Sequence, residues 1–146
     1  MKISFFLLKI SAVLWAVWGI VHMLAGVLTI SQDAAGAISG IADAADPELI
    51  KSLVYPAALE GILGQHGYNL FVAGFVATLS AFCIWKGKVK WIFIAAFVGG
   101  LFDIGYFIFI DLAGFAHFVP GTIMTLICGT AIALSLYVYF SDLRTR

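Results

Sequence analysis

Hydrophobic positions along this chain gather into four long runs, at about 8–30, 61–85, 91–113 and 121–140. Each comes close to or exceeds the ~20 helical residues that cross the hydrocarbon of a bilayer. Polar residues are confined to short connections and to one longer interval, 31–56, where Asp33, Asp43, Asp46 and Glu48 stand against Lys51 alone. Within that interval DAAGAISGIADAA reads as a short surface helix. Asp46-Pro47-Glu48 reads as the start of another, with Asp as N-cap and Pro in the first turn. Tyr55 falls at headgroup level, and Pro56 and Pro120 each open a following helix. Lys86-Gly87-Lys88-Val89-Lys90 is a tight basic turn that makes spans two and three antiparallel neighbours. The pattern predicts an all-α integral membrane protein. Residues 1–146 form one membrane domain, a four-transmembrane-helix antiparallel bundle with a partly helical outer loop.

Composition strengthens that reading. The 146 residues are 63% hydrophobic and 11% charged, whereas a soluble domain is roughly 45–50% apolar and about 25% charged. MKISFFLLKI resembles the start of a signal peptide, but its apolar stretch continues to Ile30, well past the ~7–15 residues of such a core, so a retained first span is expected. Lys9 lies near the end of that span, where its ammonium can snorkel to the headgroups. With four spans, Lys2, the Lys86/Lys88/Lys90 turn and Arg144/Arg146 share one side. The positive-inside rule then puts both termini in the cytoplasm of an inner (plasma) membrane protein, with the acidic loop outside. No basic patch interleaved with aromatics points to nucleic acid. Cys83 and Cys128 form no metal or CxxC spacing and read as inert buried thiols.

Against this background a few polar groups stand out. Asp103 sits in the middle of the third run, where a carboxylic acid is costly and calls for a partner or a use. His22 lies at a similar depth, about eight residues or ~12 Å below the outer end of the first span. Trp15, Trp18, Gly19, Gly26 and Thr29 share its helical face; the two tryptophans read as core packing and the small residues as a close helix contact. His66 enters span two about a turn below the outer surface, and Glu60, Asp111 and His117 sit at the rim. The expected site is therefore an outward-facing intramembrane polar cavity floored by His22 and Asp103, with His66, Glu60, Asn69 and Tyr106 as further candidates.

Several chemistries fit such a cluster. It can hold a small ligand or a proton, as intramembrane acids do in transport. His22, His66 and Asp103 also admit a metal ion, although no HxxxH or ExxH occurs and the ligands would have to converge from different spans. Alternatively His22 and Asp103 pair with each other, or with Asn69, Tyr106 or Thr125, and simply fix helix register. The protein would then be an accessory subunit of a larger membrane complex or a homo-oligomer. A membrane metalloenzyme or haem protein ranks behind these. Haem would need two histidines at matching depth, and His22 and His66 differ by about a turn. No serine lies near a histidine to act as a nucleophile. A Gly-x-x-His helix (Gly19 to His22) followed by three further spans resembles in outline the small four-span bacterial proteins of the DoxX-like group. That resemblance assigns no role to any residue.

Overall fold

The computed structural model describes residues 2–42 and 47–143. Every element among them is helical. Six helices follow in order: α1 (Lys2–Ser31), α2 (Ala34–Ala42), α3 (Pro47–Ser52), α4 (Ala57–Trp85), α5 (Trp91–Tyr106) and α6 (Ile123–Leu143). Four segments are long and apolar enough to cross a membrane, Phe5–Ser31, Ala57–Trp85, Trp91–Asp111 and Ile123–Ser141. They coincide with the four runs read from the hydrophobic pattern. The expected Asp46 cap of α3 lies outside the described residues.

The third run departs from a simple helix. Regular α5 stops at Tyr106 and continues as a widened turn over Phe107–Asp111, in which the Leu112 amide donates to the Phe107 carbonyl, five residues back, at 2.9 Å. Gly114, at φ +75°, then reverses the chain in a left-handed conformation open to glycine. A second widened turn, Phe118–Thr122, precedes α6. Val119 is extended there (φ −114°, ψ 127°) because it precedes Pro120, which excludes the helical region for its predecessor. Helix α6 therefore begins at Ile123, two residues later than the sequence pattern suggests.

Helix α1 packs on α4 and α6, and α5 packs on the same two, so α1 and α5 lie diagonally across the bundle. The α1/α4 contact is set by glycine. A Cβ at Gly19 would fall 2.6 Å from the Gly74 carbonyl oxygen, and one at Gly67 would fall 2.8 Å from that of Gly26. Two glycines seven residues apart on each helix thus let the backbones touch, as helices do where no hydrophobic drive holds them. Lys9 meets Trp85 further along the same seam. Its ammonium bonds the Trp85 carbonyl and lies 4.0 Å from that ring's centroid. It thereby closes an orphan carbonyl at the end of α4.

Trp15, Trp18, Ala77, Ile84, Ile92, Ala95 and Ala131 form the centre, and Trp15 lies against Gly99 of α5. Ser11, Trp15 and Ser135 make a small buried hydrogen-bonded cluster between α1 and α6. Helix α2 starts on a cap, with the Gly36 amide donating to Asp33 Oδ1 at 2.8 Å. It buries Ala34 and Ala37 and packs back on α1 and α4. Gly40 and Ile41 of this helix form part of the cavity wall at the end of the bundle where the polar candidates lie.

Candidate functional site

Two residues one turn apart on α1 begin the site. Trp18 and His22 stack, ring centroids 3.7 Å apart and planes 22° from parallel. His22 Nδ1 lies 2.8 Å from the Trp18 carbonyl oxygen. A carbonyl only accepts, so Nδ1 carries the hydrogen and the ring is held with Nε2 pointing away from its own helix. The Trp18 indole N–H crosses the bundle centre and donates to Asp103 Oδ2 on α5 at 2.9 Å. Cys128 of α6 is buried beside Gly99, one turn before Asp103 on α5. Asp103 is 6% exposed. Its other oxygen, Oδ1, faces His22 Nε2 at 3.9 Å, too long for a hydrogen bond.

These groups line a cavity of about 540 Å³, within the size range of small-molecule sites. Its walls come from α1, α2, α4, α5 and α6, and they are mostly hydrocarbon: Val21, Ala25, Leu70, Phe102, Ile110 and Met124 among others. His22, His66, Asp103 and Tyr106 are the polar side chains. Leu101 and Phe109, also on the wall, are 56% and 72% exposed, so on the α5 side the wall reaches the outer surface of the bundle. Gly121 packs against the Tyr106 ring, where a Cβ would come within 2.9 Å of Cζ. This glycine lets α5 and the turn before α6 close together.

Four of the six candidate residues therefore share one cavity, and two do not. Glu60 and Asn69 are exposed. The buried stripe of α4 runs through Leu70, Ala73 and Ala77, and Asn69 lies one residue, about 100°, around from Leu70. Glu60 is nearly two turns further toward the start of the helix than His66. The candidate metal set also fails to assemble. Among the described residues no three His, Cys, Asp or Glu side chains come close enough to hold one ion, because His66 reaches the cavity on α4, apart from the His22–Asp103 pair. The expected polar cavity is thus an apolar one with a polar patch. His117 is exposed, and Thr125 Oγ1 is buried with no hydrogen-bond partner among the described residues rather than joined to the pair.

One contributor went unread in the sequence. Trp18 is core, as expected, but it is also the donor to Asp103. Its spacing, four residues before His22, was the available signal.

Comparison with protein-family models, curated proteins and solved structures gives no match, so the DoxX-like outline has no family model behind it.

Proposed function

We propose that the protein inserts in the inner (plasma) membrane as an antiparallel four-span bundle with both termini cytoplasmic. Its cavity, opening toward the outer face, binds a small and largely apolar ligand whose polar end meets Asp103 and His22. The lysine and arginine distribution supports the orientation. The large side chains that face outward, such as Phe6, Leu24, Phe97 and Leu126, are apolar, as lipid contact requires. One observation carries the binding reading. Asp103 Oδ1 and His22 Nε2 face each other at the cavity wall without bonding each other, so both retain capacity for a ligand.

The competing reading treats the same residues as a register lock in an accessory subunit. It is favoured by the way the Trp18–Asp103 hydrogen bond joins α1 to α5. A cavity-filling variant separates the two. A Cβ on Gly105, at the cavity wall, meets no atom within 4 Å. Gly105→Leu should therefore fold normally and occupy ligand space. Native mass spectrometry of protein in nanodiscs, exposed to an extract of membrane small molecules, should show an adduct that Gly105→Leu lacks. An adduct equally abundant in both, or absent from both, counts against a ligand cavity.

A further inference from the structure

Among the described residues the surroundings of Asp103 contain a neutral donor and no cation. Its carboxylate receives the Trp18 indole N–H. Asp111, about two turns further along the same run, is a second acid whose carboxylate oxygens are buried without a hydrogen-bond partner among the described residues. No lysine or arginine lines the cavity. Lys51, in the loop segment at this end, is exposed and lies 3.5 Å from Glu48. Carboxylates removed from water are costly unless a counter-charge or donor meets them. This end of the cavity is arranged for a positive ligand.

The histidine specifies which kind. Its Nδ1–H is committed to the Trp18 carbonyl, so the neutral ring presents a lone pair at Nε2. That lone pair looks at Asp103 Oδ1 across 3.9 Å. Two acceptors at that separation suit one donor atom carrying at least two hydrogens. A nitrogen about 2.8 Å from each would see them roughly 90° apart, near enough to the tetrahedral angle for two bent N–H bonds. A quaternary ammonium has no hydrogen to give, and an alcohol has only one.

Resting on the ligand-binding reading above, we propose that the cavity takes a primary ammonium on an apolar body. Its N–H groups are shared by Asp103 Oδ1 and His22 Nε2, and its hydrocarbon lies against Val21, Ala25, Phe102 and Met124. The same ammonium occurs on free alkylamines and on the ethanolamine headgroup of lipids. A headgroup would bring a phosphate for which the cavity wall offers no cation, which favours the free amine.

The test is calorimetric titration of the protein in phosphatidylcholine nanodiscs, with empty nanodiscs subtracted, using decylamine, decan-1-ol and decyltrimethylammonium. Decylamine should bind at one site roughly tenfold or more tighter than either control, the scale of a hydrogen bond to a charged group. Asp103→Asn should lose this preference, and Gly105→Leu should bind none of the three. Equal binding of all three probes to the wild-type protein, abolished by Gly105→Leu, overturns the ammonium assignment and leaves the cavity reading standing. Absence of binding by every probe overturns both. The wild-type comparison needs no variant to fold. Replacing phosphatidylcholine by phosphatidylethanolamine then identifies the source. Unchanged decylamine affinity supports the free amine, and competitive loss assigns the ammonium to the lipid headgroup.

Discussion

Replacing Asp103 by asparagine and by alanine should have opposite consequences for stability and the same consequence for binding. In Asp103→Asn the carboxamide oxygen takes the place of Oδ2 and still accepts the Trp18 N–H, now 2.9 Å away. The new NH₂ faces the His22 Nε2 lone pair across the present 3.9 Å gap, and a small rotation brings it into bonding range. One charge-assisted bond weakens, one neutral bond forms and a buried charge disappears, so stability should stay within about 1 kcal/mol of wild type. Asp103→Ala has no such compensation. It strands the indole N–H of Trp18, a residue with no exposed surface, at about 1–3 kcal/mol. It also opens a void of several atoms, and the total should reach about 2–4 kcal/mol. Reversible unfolding in mixed detergent micelles, followed by tryptophan near-UV circular dichroism, measures both. Decylamine titration should show both variants defective in binding. An asparagine variant as unstable as the alanine variant would refute the reasoning. It would mean that the carboxylate charge itself holds the bundle together.

Other consequences can be checked with the same material. Gly74→Ala should cost about 1–3 kcal/mol by overpacking, since its Cβ would lie 2.7 Å from the Met23 amide nitrogen and only backbone could yield. Gly64→Ala, whose Cβ meets no atom within 4 Å, should be neutral or gain up to ~1 kcal/mol in helix propensity. Equal effects in the unfolding titration would argue against the α1/α4 seam. A reporter that fluoresces only in the cytoplasm should be bright when fused after Arg146 and dark when inserted in the 31–56 loop; the reverse pattern would overturn the orientation. Because no three-ligand set assembles among the described residues, untagged protein purified without chelator should carry no stoichiometric zinc, iron or copper. Elemental analysis with a visible spectrum reads this directly, and a stoichiometric metal or a haem band would contradict it.

The four long helices were legible because their apolar runs are long and uninterrupted, the pattern that crossing a bilayer requires. The meeting of His22 and Asp103 was legible for a related reason. Counting residues from the ends of their apolar runs puts both at a similar level along the bundle, and a buried acid requires company. Rotation about each helix axis was harder to read. Asn69 has the right depth but lies about 100° away from the buried face. Trp18 was visible beside His22, yet its hydrogen bond depends on α1 and α5 facing each other diagonally, which the linear order does not encode. The widened turn after Tyr106 leaves no hydrophobic signature, since Phe107 to Ile110 are apolar in either geometry. Lys9 illustrates the remaining gap. Snorkelling and capping use the same long side chain, and only the register of α1 against α4 selects the Trp85 carbonyl.

Accessibility of the cavity tests the central claim most directly. Ala25 lines its wall, while the native thiols Cys83 and Cys128 are buried and supply an unlabelled baseline. Ala25→Cys should react with a membrane-impermeant maleimide in right-side-out vesicles, be protected by decylamine, and stay unreactive in inverted vesicles. Reaction only in inverted vesicles, or in neither, would contradict an outward-open ligand cavity.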